Sequence, residues 1–437
     1  MQMSQSLPNY PSRKLKITLL TMGSRGDLQP YCALAIGLRR AGHQVTIATT
    51  ENFESFIKQF DLEFASIGGN SQELFQSSEG IRTVAGEKVE ILSDALFQQQ
   101  LESAWLACRE SEVIIYTPQT NWGYHIVEKL EIPCFIASCL PFSATGMFPY
   151  LNFNQIANNP LSRVINYTTY LLLEFLYWQR YKHLINRFRT QTLKLPSLSF
   201  LGTIGRNDTP KNLLKIPVLH GYSSHVIPRP NDWPEWVYLT GYWFIDQADD
   251  YTPCEELREF LRQKPTPISI GFGSMAMRNP EKVTNSILKA LEKTHQRGII
   301  LSGWGNVGTT DEVKDSSRAF VINSVPHDWL LPQVLANVHH GGAGTSAAVL
   351  RAAIPSIVMP FFADQPIWAE KLAQLGVTPQ PIPFKEFSEE ALAAAIEIAL
   401  NDSRMRSQAK ELGEKIRSED GVANAVDIIH RHLGLIE

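Results

Sequence analysis

The chain has 437 residues, 44% of them hydrophobic and 19% charged, and carries a formal net charge of −4 at pH 7. At roughly 150 residues per domain it needs more than one core, its apolar content excludes a disordered or fibrous class, and its mild acidity leaves no basic footprint for a nucleic-acid partner. Five irregularly spaced cysteines, with no CxxC pair, point to a reducing compartment and buried thiols rather than zinc or disulfides.

The N-terminal MQMSQSLPNYPSRK is polar, and the apolar run behind it, Ile17 to Met22, is too short for the core of a signal peptide. No segment supplies the roughly 20 apolar residues of a membrane span. The expected location is the cytoplasm, with peripheral contact at a membrane. Next come KITLLT (16–21), QVTIAT (44–49), VIIYTP (113–118) and CFIASC (134–139), continuous apolar runs of the kind buried on both faces of a parallel sheet. Helical patterns separate them, one running from Pro30 to Ala41 and stopping at Gly42.

From about 147 to 200 the alternation breaks. Within 161–195 six cations, Arg163, Arg180, Lys182, Arg187, Arg189 and Lys194, stand against one acid, Glu174, among many aromatics. A lipid-facing helix pair and an ordinary helical lid fit that composition equally well. The proline- and tryptophan-rich stretch 228–246 reads as a linker. The β/α rhythm then restarts with ISIGFGSM (268–275), a helix from Pro280 to Thr294, GIILSG, FVINSV, NVHHGG, TSAAVLRAAI, SIVMP and a helix from Gln365 to Leu375, ending in helical patterns at 388–400, 402–417 and 421–434. The expected fold is α/β, with two doubly wound, Rossmann-like domains facing across a cleft: residues 1–227 with the insertion at 147–200, and residues 247–437, whose last helices return to the first domain.

Ligands of such sheets bind beyond the carboxyl ends of the strands, and glycines cluster there. Gly271-Phe272-Gly273-Ser274 follows one predicted strand, Ser302-Gly303-Trp304-Gly305 another, and His339-His340-Gly341-Gly342-Ala343-Gly344-Thr345 a third, opening a helix. Glycine lets backbone amides approach an anion, and a helix start favours negative charge, so the pattern predicts a phosphate site. Both Gly271-x-Gly273-x-x-Ala276 and Gly342-x-Gly344-x-x-Ala347 also satisfy a relaxed dinucleotide fingerprint, with Asp364 at the spacing of a ribose-binding acid. Close helix-to-strand packing is a third use for the same glycines. His340 favours the phosphate, because a dinucleotide fold needs no histidine there; His339 reads as structural. Asp27, in Gly23-Ser24-Arg25-Gly26-Asp27 after the first strand, is a candidate general base or a helix cap. There is no P-loop, no Asp-x-Asp and no G-x-S-x-G, so neither nucleoside triphosphate hydrolysis, nor a metal held by Asp-x-Asp, nor serine hydrolysis is indicated.

Taken together, the segments 15–50, 234–244, 268–275 and especially VPHDWLLPQVLANVHHGGAGTSAAVLRAAIPSIVMPFFADQPIWAEKLAQLGV (325–377) resemble the nucleotide-sugar glycosyltransferases of the GT-B fold, in their sterol/lipid glucosyltransferase and antibiotic glycosyltransferase branch. The resemblance implies an inverting, metal- and cofactor-independent transfer of a hexose, glucose from UDP-glucose, to a hydroxyl of a hydrophobic acceptor such as a sterol or lipid. It implies Asp27 as the base, and His340, Gly342, Ala343, Gly344 and Thr345 as the diphosphate cradle with Ser274 facing them. Asp364 and Gln365 would hold the sugar hydroxyls, while Ser302, Trp304, Val325 and His327 would line the base and ribose. Residues 51–230 match only loosely and give no acceptor-binding residues. The alternatives are a dTDP- or UDP-deoxysugar moved to a polyketide, carotenoid or lipopeptide, a nicotinamide oxidoreductase, and a binding protein without catalysis.

Overall fold

A computed structural model describes residues 13–436, apart from 88–91, 151, 153–158, 205–208, 210, 311–312 and 314–315. The polar residues 1–12 and part of the 147–200 insertion therefore lie outside the described residues. Two parallel sheets organise the chain. The first has the order β3-β2-β1-β4-β5-β6-β7, with β1 Lys16–Leu20, β2 Gln44–Thr49, β3 Glu63–Ser66, β4 Val113–Tyr116, β5 Cys134–Ser138, β6 Val218–His220 and β7 Val237–Leu239. The second has the order β10-β9-β8-β11-β12, with β8 Ile268–Gly271, β9 Gly298–Leu301, β10 Ala319–Ile322, β11 Asn337–His339 and β12 Ser356–Val358. Both orders reverse at the central strand, and such a switch point opens a crevice at the strands' carboxyl ends. The apolar runs are strands because both faces are covered: all four residues of β4 are buried. All three residues of β11 and of β12 are buried too, although β11 includes the polar Asn337 and His339.

Two sequence expectations change. The first helix runs from Arg25 to Arg40, with Ser24 as its N-cap, so Pro30 lies inside it rather than at its start. Pro30 has no N–H to give the carbonyl of Gly26, four residues back, and that carbonyl faces out of the helix toward the second domain. The 147–200 region holds one long helix, Pro160–Arg187, continued by a π-helical turn at Phe188–Leu193, in place of a helix pair. The Arg189 guanidinium, fully buried, pins that turn to the Glu128 carboxylate at 2.6 Å. The stretch 228–246 is also less irregular than its prolines suggest, since β7 within it pairs in parallel with β6 at the sheet edge.

The two halves are knitted at several points. The last helix, Gly421–His432, packs on the Arg25–Arg40 helix, where Gly37 admits the Val422 side chain and His43 Nε2 lies 2.8 Å from His430 Nε2. Val84 of the first half is buried within the core of the second, and Arg278 pairs with Glu87.

Candidate functional site

Between the sheets lies a cleft of about 1560 Å³. That exceeds the roughly 300–1,000 Å³ of a single small-ligand pocket and leaves room for two substrates. Asp27, Ser274, Trp304, Val325, His327, His340, Gly342, Ala343, Gly344, Thr345, Asp364 and Gln365 all line it. Ser302 does not: its Oγ lies 3.3 Å from the Oδ1 of Asn323, which lines the cleft in its place.

On the first-domain side Asp27 is the third residue of its helix. Its Oδ2 accepts from the Ser24 N–H and the Ser24 hydroxyl, both at 2.8 Å, the side-chain half of a capping box. Gly23 makes room for this arrangement, because a Cβ there would lie 2.6 Å from Asp27 Oδ2, and its φ of +137° disfavours any other residue. Burial raises the Asp27 pKa above the ordinary carboxylate value, with the Ser24 hydrogen bonds acting against it. Arg25, two residues earlier, stacks its guanidinium 4.7 Å above the Phe56 ring.

On the other side the Ala343–Ala352 helix opens on Gly342, which has no side chain to cap it, and its first turn carries no acid. Among the described residues no group accepts from the amides of Ala343, Gly344 or Thr345. A helix start of this kind turns free amides and the positive end of its dipole toward the cleft, which favours an anion. The His340 ring lies against it: a Cβ on Gly342 would come within 2.4 Å of His340 Nε2, and one on Gly273, after β8, within 3.1 Å of Cε1. The glycines of two separate loops therefore clear space for one imidazole. Gly303 extends the stack, since a Cβ there would lie 2.3 Å from the Gly273 carbonyl oxygen, to which Trp304 N–H donates at 3.0 Å.

Burial, reinforced by His327, lowers the His340 pKa to about 4, and its Nδ1 has no partner among the described residues. The ring is neutral at pH 7 and can donate one hydrogen bond. His339 instead accepts from Gly341 N–H through Nδ1 at 3.1 Å and is fully buried, a backbone anchor.

The helix starts meet across the cleft, a Cβ on Gly344 lying 3.4 Å from the Gly26 carbonyl oxygen. Asp364 completes the group. Its pKa is raised to about 6, first by burial and then by the charge of Asp27. Trp368 Nε1 holds its Oδ2 at 3.0 Å. Gln365 is spent on the protein: Oε1 accepts from Phe361 N–H at 2.9 Å, and Nε2 faces Met275 Sδ at 3.3 Å.

Sequence reasoning missed the apolar wall on the first-domain side of the cleft. Leu140, Phe142 and Tyr150, beyond β5, line the cleft there, with Phe142 and Tyr150 stacked at 5.3 Å. The signal was present in Leu140-Pro141-Phe142, placed after an apolar run where ligands of such sheets bind. It also missed that Trp304 is braced from the other domain, by Phe75 at 6.2 Å and by Gln76 Nε2, which donates to the Trp304 carbonyl at 3.2 Å. Among the described residues no three His, Cys, Asp or Glu side chains gather in a form that could hold a metal ion.

Known proteins agree with this architecture. Residues 17–149 match the glycosyltransferase family 28 N-terminal domain, and residues 300–430 match the erythromycin biosynthesis protein CIII-like C-terminal domain. A sterol 3-beta-glucosyltransferase of Emericella nidulans is 37% identical over 98% of this chain and 31% of its own length. One of Arabidopsis thaliana is 37% identical over 96% of this chain and 66% of its own length. The chain thus spans under a third of the fungal relative and about two thirds of the plant one. Among solved structures, the glycosyltransferase of kitacinnamycin superposes with a TM-score of 0.66 at 18% identity, covering 96% of this chain and 99% of that one. The calicheamicin glycosyltransferase CalG4 gives 0.64 at 17% identity, over 97% and 99%. The two parallel sheets facing across a cleft are the two-domain architecture of these structures. The chain belongs to the GT-B-fold glycosyltransferases, related both to sterol glucosyltransferases and to natural-product glycosyltransferases.

Proposed function

We propose that this protein is an inverting, metal-independent transferase that moves glucose from UDP-glucose to the hydroxyl of a hydrophobic acceptor, a sterol or other lipid, at the surface of a membrane. The observation that carries the reading is the meeting of two unlike helix starts across one cleft, Asp27 on one and the unacidified, glycine-capped start with His340 on the other. Asp27 takes the acceptor's hydroxyl proton as that oxygen attacks the anomeric carbon. The amides of Gly344 and Thr345, with the neutral His340, take up the charge of the departing diphosphate. Asp364 and Gln365 orient the sugar, and Gln365 must exchange its bond to Met275 for one to a sugar hydroxyl. Trp304, Val325, His327 and Ser274 close round the nucleoside and phosphates. Residues 1–227 supply the acceptor wall and residues 247–437 the donor site, joined by 228–246. The sterol 3-beta-glucosyltransferase relatives support the choice of sugar and acceptor.

The test is product analysis by mass spectrometry with UDP- and dTDP-sugars offered against sterol, glycerolipid and polyketide acceptors, with and without a chelator. A sterol or lipid glucoside made from UDP-glucose equally well in the chelator is the expected result. Transfer solely from a dTDP-deoxysugar, or complete loss of transfer in the chelator, contradicts the reading.

A further inference from the structure

The Pro160–Arg187 helix is amphipathic in reverse. Asn166, Tyr170, Trp178 and Leu184 face inward and are buried, whereas Leu161, Val164, Ile165, Leu172 and Leu176 face outward with exposures between 52% and 69%. Their spacing keeps them on one stripe, about 22 Å long at 1.5 Å per residue. Phe200 and Leu201, exposed on the loop that follows, widen it, and Phe200 meets Phe175 edge-on at 5.5 Å. Ten of the fourteen exposed large hydrophobic side chains among the described residues fall within 161–201, so the stripe is a patch and not ordinary scatter.

We propose that this stripe is a docking face for an anionic phospholipid bilayer, on which the helix lies flat with its outer leucines among the acyl chains. The charges fit that occupant. The helix's one acid, Glu174, is held by the Thr203 hydroxyl at 2.9 Å, while the Lys182 ammonium lies over the Phe200 ring at 5.0 Å, where its stem can run along apolar surface and its head reach phosphates. Arg187 and Lys194 add exposed charge beyond the stripe. No described helix is long and apolar enough to cross a membrane, which suits a helix lying in the interface. The stripe also backs directly onto the cleft. On the helix's inner side Thr169 Oγ1 accepts from Tyr150 N–H at 2.8 Å, and the Tyr170 ring meets Tyr150 edge-on at 5.5 Å. Tyr150 lines the cleft within reach of the Asp364 charge. A lipid leaving the bilayer is then separated from the Tyr150 side of the cleft by about one helix diameter, ~10 Å. This delivery rests on the transferase reading; the docking does not.

The experiment is co-sedimentation of the full chain with vesicles of phosphatidylcholine alone and of phosphatidylcholine mixed with phosphatidylglycerol. UDP binding by calorimetry and mass by analytical ultracentrifugation are measured on the same samples. Binding is expected to the mixed vesicles above the neutral ones, weakening with salt. Leu172→Gln and Leu176→Gln should each weaken it about tenfold, Val164→Gln should do the same from the other end of the stripe, and Leu335→Gln and Ile398→Gln, exposed elsewhere, should leave it unchanged. UDP binding should persist in all of them. No vesicle binding by a chain that binds UDP overturns the docking face and spares the transferase. Vesicle binding without UDP binding does the reverse. A dimer that Leu172→Gln turns into a monomer assigns the stripe to a second copy and overturns the proposal.

Discussion

The two helix starts that face each other across the cleft look alike in sequence, each a glycine-rich turn after a strand, and differ in what they leave unsatisfied. The Arg25–Arg40 helix brings its own anion: Asp27 sits in the first turn and bonds back to Ser24. The Ala343–Ala352 helix has no acid in its first turn and no capping side chain. A helix end that holds a carboxylate has its dipole answered and can offer that carboxylate as a proton acceptor, whereas a bare one is free to hold a phosphate. The glycines divide the same way. Gly23 seats a carboxylate, and Gly273 and Gly342 seat an imidazole.

The largest expected effect breaks the acidic side. Asp27→Asn should lower the transfer rate by roughly 10²–10⁴, the worth of a general base, while UDP binding stays at the wild-type level; single-turnover kinetics and calorimetry measure the two. On the bare side, His340→Ala and Gly342→Ala should both weaken UDP binding, by about tenfold or more for a lost hydrogen bond to a charged group. Gly342→Ala acts by pushing the ring away, since its methyl would fall 2.4 Å from Nε2. Equal UDP affinities in wild type and both variants would show that the bare end holds no phosphate.

A third prediction concerns pH. The Asp364 pKa, raised to about 6, means that the folded protein binds its proton more tightly than the unfolded chain does. Stability is therefore lost as pH rises from about 4 through about 6. Asp364→Asn should raise the melting temperature at pH 7, by a stability on the order of 1 kcal/mol given the partial exposure of the site, with the gain vanishing below pH 4. An unchanged melting temperature at pH 7 counts against the buried charge. Smallest of all, Ser302→Ala should leave UDP binding and turnover within about twofold of wild type, because Ser302 does not line the cleft and its hydroxyl is engaged with Asn323.

The sequence carried the strands well because burial on both faces leaves nearly unbroken apolar runs, as in VIIY and CFIA. It carried β6 and β7 poorly, since VLH and VYL are short and lie among prolines that read as punctuation, Pro217 just before β6 and Pro234 just before β7. Pro30 was misleading because a proline usually marks a helix's first turn, and here the Asp27 and Ser24 contacts start the helix five residues earlier. The glycines around His340 were visible as glycines but open in purpose, and the space they clear for one ring shows only once β8 and β11 lie side by side. The wall at Leu140, Phe142 and Tyr150 was hidden because apolar residues beyond a strand read the same whether they pack a core or line a cleft.

One measurement tests the division between the two helix starts most directly: calorimetric titration of UDP into wild type, Asp27→Asn and Gly342→Ala, with the circular dichroism of each confirming its fold. The account predicts equal affinity for wild type and Asp27→Asn, and an affinity at least about tenfold weaker for Gly342→Ala. UDP affinity lost in Asp27→Asn and kept in Gly342→Ala would contradict it.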